Sequence, residues 1–167
     1  MIQADIVVLG GSAAGITAAI TARRHHPGKS IVLVRQEKQV PIPCGIPYIY
    51  GTLGGPEKNL MPDSVLEAHR VELVLAEATM IDREHHLLQT AKGPVQYERL
   101  VLATGSVPTK PGLPGVETPG VFTILKDVDY LKGLQRSLQK AKDVVIIGGG
   151  FIGIEFADEI NKIGGKS

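Results

Sequence analysis

A chain of 167 residues, 43% hydrophobic and 21% charged, is long enough to bury a core, and its length alone suggests one domain. The net charge of +1, with no basic face and no run of like charge, argues against nucleic-acid and membrane partners; 4% aromatic content without Trp argues against a stacking platform for single strands. No stretch nears the roughly 20 apolar residues of a membrane span, Met1–Asp5 reads as no signal peptide, and a lone cysteine, unable to form an internal disulfide, points to the cytoplasm.

The first apolar run, Ile6–Leu9, predicts a strand buried on both faces. Gly10-Gly11-Ser12-Ala13-Ala14-Gly15 follows, then an Ala- and Ile-rich stretch over Ile16–Arg24 that predicts a helix stopped by Pro27-Gly28. A second apolar run, Ile31–Val34, completes a βαβ unit with a parallel strand pair. Pro41–Pro47 is a proline-rich loop holding Cys44. Ser64–Arg70 predicts a short helix, Val71–Leu75 a strand, and Glu77–Leu102 β-hairpins with a turn at Lys92-Gly93-Pro94. Leu100–Leu102 reads as a buried strand running into a tight turn at Ala103-Thr104-Gly105. Ser106–Gly120, with four prolines, reads as a connection between domains, and the charges from Lys126 to Lys142 as a solvated helix face.

Asp143–Ile154 repeats the opening of the chain: Gly148 and Gly153 stand 138 residues after Gly10 and Gly15. Two strand–glycine turn–helix units imply two nucleotide sites. Only 14 residues follow Gly153, whereas a whole unit needs about 30, so the chain is expected to stop inside a domain, as an N-terminal fragment of a longer protein. The expected fold is α/β, a Rossmann-like parallel sheet with helices and a β-meander, followed by an incomplete second Rossmann unit.

In such a turn the first glycine permits the tight bend, the second lets backbone approach a pyrophosphate, and the third lets helix and strand pack closely. The helix that follows offers free N–H groups and a partial positive charge. In the first turn Ser12 takes the middle position. An acid about 20 residues on ordinarily binds the ribose hydroxyls; that position is Arg35, and the nearest acid is Glu37. Either Glu37 reaches the ribose from a longer turn, or the adenosine is held differently, or Arg35 meets a 2′-phosphate.

Cys44 stands in Pro41-Ile42-Pro43-Cys44-Gly45-Ile46-Pro47-Tyr48. Pro47 suits the first turn of a helix, where its missing N–H costs nothing, and a cysteine at a helix N-terminus favours the reactive thiolate. The opposing reading is a buried, inert cysteine. Spacing alone leaves both open.

Taken together, Gly10–Gly15, Cys44-Gly45-Ile46-Pro47-Tyr48, Leu102-Ala103-Thr104-Gly105-Ser106 and Gly148-Gly149-Gly150-Phe151-Ile152-Gly153-Ile154-Glu155 resemble the pyridine nucleotide-disulfide oxidoreductase family. Their order and spacing resemble its single-cysteine branch of coenzyme A-disulfide and persulfide reductases and NADH oxidases and peroxidases. The resemblance implies an FAD-binding domain over 1–111, a linker and crossover over 112–141, and the start of an NAD(P)-binding domain over 142–167. It implies that Gly10, Ser12, Ala13, Ala14 and Gly15 hold the FAD pyrophosphate, that Ala78 meets the adenine through its backbone, and that Ala103, Thr104 and Gly105 pack by the FAD. Arg35 and Glu37 belong to the adenosine end. Gly148, Gly150, Ile152 and Gly153 hold NAD(P)H, Phe151 takes the place of a flavin-covering Tyr, and Glu155 lies near the nicotinamide.

The implied chemistry passes hydride from NAD(P)H to the flavin and electrons on to Cys44, whose oxidised form is a mixed disulfide with coenzyme A or a sulfenic acid. Ala13 stands where oxidases and peroxidases of the branch often have a His, which favours a small thiol, disulfide or persulfide substrate of the coenzyme A type. The alternatives are an oxidase or peroxidase using a sulfenic acid, and a flavin reductase serving a protein partner with Cys44 as packing. A homodimer is implied for the full-length protein, and the fragment by itself is expected to be inactive. His25-His26 and His85-His86 lack metal-ligand spacing, and no metal is expected.

Overall fold

The computed structural model describes residues 1–163; the end of the expected 142–167 segment lies outside the described residues. The chain forms two compact units, one of Met1–Gln39 with Met61–Gly105, the other of Val40–Leu60 with the chain from Ser106 on. The segment bearing Cys44 thus clusters with the later part of the chain.

The first unit is a six-stranded sheet in the order β3-β2-β1-β6-β5-β4. Its strands are β1 (Ile2–Leu9), β2 (Ile31–Arg35), β3 (Glu72–Leu75), β4 (Ala78–Asp82), β5 (Leu87–Thr90) and β6 (Val95–Leu102). β3, β2, β1 and β6 run parallel, whereas β4, β5 and β6 form an antiparallel meander. Alternation of side chains along β1 and β2 explains their unbroken apolar runs. Val7, Val32 and Val34 face one side with Leu88, Val95 and Tyr97, while Val8, Ile31 and Leu33 face the other. There they meet Ile16 and Ala19 of α1 (Ala13–His25) and Leu66 of α2 (Ser64–Ala68). α1 starts at Ala13, three residues before the expected Ile16, inside the glycine turn itself.

The second unit holds α3 (Val128–Lys140) and α4 (Phe151–Asn161). Asp127 caps α3, its Oδ1 accepting from Tyr130 N–H at 2.7 Å. The charged residues between Lys126 and Lys142 leave Val128, Leu131, Leu134 and Leu138 to form one buried face. That face packs with Phe156 and Ile160 of α4 and with Ile46, Ile49 and Tyr50 from the Cys44-bearing segment.

Three expectations fail. Leu102, expected in a buried strand, is 62% exposed, because β6 leaves the meander after Gln96 and continues beside β1 alone. The helix expected from Pro47 is a three-residue 3-10 turn, Pro47–Ile49. Asp143–Ile147, expected as a strand, is unpaired among the described residues, with Val145 85% and Ile147 76% exposed. A strand needs a neighbour to satisfy its N–H and C=O groups, and apolar sequence alone does not supply one.

Candidate functional site

At the C-terminal ends of β1, β2 and β6 the first glycine turn is built by close approach. Gly10 has φ +113°, a conformation that favours glycine, and a Cβ there would stand 2.1 Å from the Ala103 carbonyl oxygen. Gly10 N–H donates to Val34 O, and Ala103 N–H to Leu9 O, each at 2.8 Å. A Cβ on Gly15 would lie 1.9 Å from Gly10 O, so the first turn of α1 rests directly on the bend. Ala13 and Ala14 are exposed and no acidic residue occupies that turn, which leaves its N–H groups and positive dipole end facing outward. This is the cradle an anionic diphosphate fits. Gly10, Gly15, Ala103 and Thr104, far apart in sequence, meet here.

Arg35 has a different setting from either reading of the sequence. It is buried, 2% exposed. Its Nε donates to Glu37 O at 2.8 Å and its Nη2 to Lys38 O at 3.3 Å and to Asp63 Oδ2 at 2.8 Å, while Nη1 pairs with Asp63 Oδ1 at 2.8 Å. Its stem fills the space over Gly11, where a Cβ would come 2.2 Å from Arg35 Cδ. The guanidinium is turned into the protein and ties β2, the following turn and the start of α2 beneath the glycine turn. Glu37 is exposed at the strand end and Ala78 opens β4.

The second glycine turn repeats the first in the other unit. Gly148 has φ +117°, and a Cβ on Gly153 would lie 2.0 Å from Gly148 O. Ile154 N–H donates to Gly150 O at 3.1 Å, as Ile16 N–H does to Ser12 O at 3.0 Å. Gly149 and Gly150 have open space around them. Phe151, Ile152 and Glu155 are exposed along the start of α4.

Cys44 is exposed, in the 3-10 turn Pro43–Gly45. The helix-terminus argument for reactivity does not apply, since turns of three residues carry no appreciable dipole. Two residues without a local sequence signal hold this segment. Asn59, 3% exposed, donates through Nδ2 to Ile42 O at 2.9 Å. Glu159, 1% exposed on α4, accepts from Thr52 N–H at 2.7 Å, Thr52 Oγ1 at 3.0 Å and Lys162 Nζ at 2.7 Å. Burial works to raise its pKa, but the Lys162 and Thr52 hydrogen bonds outweigh it and hold the carboxyl below its ordinary range. Among the described residues no cluster of three or more His, Cys, Asp or Glu is arranged for a metal, and no helix is long and apolar enough to cross a membrane.

The chain is similar to known proteins along nearly its whole length. It is 35% identical over 161 residues to the NAD(P)H coenzyme A polysulfide/persulfide reductase of Pyrococcus horikoshii, covering 92% of this chain and 36% of that protein. An NAD-dependent persulfide reductase from A. fulgidus has the same fold at a TM-score of 0.83 and 30% identity, over 95% of this chain and 32% of that one. A ferredoxin reductase from Rhodopseudomonas palustris matches at a TM-score of 0.81 and 30% identity, over 94% and 40%. The chain therefore spans well under half the length of these relatives. The profile of the pyridine nucleotide-disulphide oxidoreductases matches residues 4–167. Both glycine turns lie within that match, and the chain belongs to this family of FAD- and NAD(P)H-dependent oxidoreductases.

Proposed function

We propose that the chain carries the FAD-binding part, over 1–111, and the start of the NAD(P)H-binding part, over 142–167, of a reductase acting on a coenzyme A-type persulfide or disulfide through Cys44, with 112–141 as linker and crossover. The observation that carries this reading is the exposed Cys44 in a chain 35% identical to a coenzyme A polysulfide/persulfide reductase. When bound, the two cofactors supply hydride and electron transfer between nicotinamide and thiol. The chain's own residues do the rest. Gly10, Ser12, Ala13, Ala14 and Gly15 receive the FAD pyrophosphate on backbone N–H groups. Ala103, Thr104 and Gly105 wall that turn, Ala78 meets the adenine, and Arg35 braces the turn from below while Glu37 faces the ribose. Gly148, Gly150, Ile152 and Gly153 receive NAD(P)H, Phe151 covers the flavin side and Glu155 faces the nicotinamide. Cys44 provides the thiolate that attacks the coenzyme A-borne sulfur, forming the Cys44–coenzyme A mixed disulfide as the S–S bond of the substrate breaks and sulfide leaves from a persulfide, or coenzyme A thiolate from a disulfide. The protein acts in the cytoplasm as a homodimer.

A second reading, a flavin reductase for a protein partner, is supported by the likeness to a ferredoxin reductase. Replacing Cys44 by Ser in the whole protein separates the two. Under the first, reduction of coenzyme A persulfide or disulfide by NADH or NADPH is lost while reduction of a one-electron dye continues. Undiminished turnover of both substrates would refute the role of Cys44.

A further inference from the structure

The turn that carries Cys44 is closed by Gly45 N–H donating to Ile42 O at 3.0 Å. That same carbonyl accepts Asn59 Nδ2 at 2.9 Å. Ile42 N–H in turn donates to the main-chain oxygen of Asn59 at 2.9 Å, next to an antiparallel bridge between Pro41 and Leu60. A carbonyl only accepts, so the amide has one possible orientation here, with Oδ1 directed at Gly45. A Cβ on Gly45 would lie 1.9 Å from that oxygen. Asn59 thus grips the residue two before Cys44 and the residue one after it, from 15 residues away in sequence.

The main-chain bond and the bridge would join these two strands of backbone whatever side chain stood at 59. The side chain adds a second donor to the carbonyl that closes the cysteine turn, and its Oδ1 stands where a Cβ on residue 45 would go, so any side chain there must displace it. Burying a primary amide costs free energy unless it is hydrogen-bonded, and the Nδ2 of Asn59 is bonded to the carbonyl that closes the Cys44 turn. We infer that Asn59 is a positioning residue for Cys44, fixing the turn that presents the thiol and setting the dipole beside it. This rests on the reading of Cys44 as the reacting thiol.

The test is the pH profile of Cys44 alkylation by iodoacetamide in the intact protein, followed on the Cys44 peptide by mass spectrometry. Asn59→Asp replaces the donor to Ile42 O by a carboxylate and is expected to move the profile to higher pH by about one unit. Gly45→Ala is expected to change the rate in the native background and to have its effect relieved when Asn59→Ala removes the blocking oxygen, a coupling of at least about threefold. Should Asn59→Asp fail to fold, the Gly45→Ala and Asn59→Ala cycle decides by itself. An unshifted profile in a folded Asn59→Asp variant, or equal effects of Gly45→Ala in both backgrounds, overturns the proposal. Alkylation reports the thiol whether or not it takes part in turnover, so failure here is distinct from failure of the Cys44→Ser test.

Discussion

Gly10, Gly15, Gly148 and Gly153 have the same physical job in pairs: one glycine bends with φ above +110° and the other lets a helix sit on its carbonyl. The sequence pattern shows this because the requirement is local and acts within six residues. It has a sharp consequence. Gly15→Ala places a methyl 1.9 Å from main-chain Gly10 O, where no flexible side chain can yield. It is expected to destabilise the fold by about 1–3 kcal/mol or more. Gly149→Ala, with open space and no positive φ, is expected to stay within about 0.5 kcal/mol. Urea unfolding midpoints of the two variants make the comparison. Arg35 is the opposite case. By its spacing from Gly15 it is a candidate for a 2′-phosphate, yet it serves as a buried strut on Asp63. No local rule reports a partner 28 residues away.

At the scale of elements, α4 has two roles. Its first turn follows the second glycine turn, and its last residues fix the segment that holds Cys44. Glu159 is the link, with Thr52 and Lys162, while Phe156 and Tyr50 pack at 5.5 Å between ring centroids. Because the folded-state pKa of Glu159 is lowered, its stabilising contribution is fully present above the unfolded value of about 4.3. It is lost as pH falls through the folded value. The native chain is therefore expected to lose stability on acidification from about pH 5 downward, and Glu159→Gln to show a lower stability at neutral pH with a shallower acid slope. Urea midpoints measured across that range test it; equal slopes would remove Glu159 from the account. The Pro47 turn teaches a related lesson: a proline fit for a first helical turn does not lengthen the helix, and Tyr48–Leu53 closes into turns instead.

Across the whole molecule, both halves of the glycine repeat are present, but only the first has its strand built into a sheet. Val7 and Val8 are wholly buried between β2 and β6, whereas Val145 and Ile147 stand mostly exposed. In hydrogen exchange of the 167-residue chain by itself, the amides of Val144–Ile147 are expected to exchange close to unprotected rates and those of Ile6–Leu9 to be the slowest; strong protection at 144–147 in that chain would contradict the unpaired assignment. Periodicity and backbone strain act over neighbouring residues, so the α/β class, the βαβ unit, the meander turning at Gly93 and the two glycine turns are legible in the residues alone. The folded chain adds what the residues in order do not show: Cys44 is exposed, Asn59 and Gly45 interlock around it, Glu159 fastens its segment to α4, and Arg35 is a strut. Each of these depends on long-range packing and hydrogen bonding between distant residues, which no local pattern encodes.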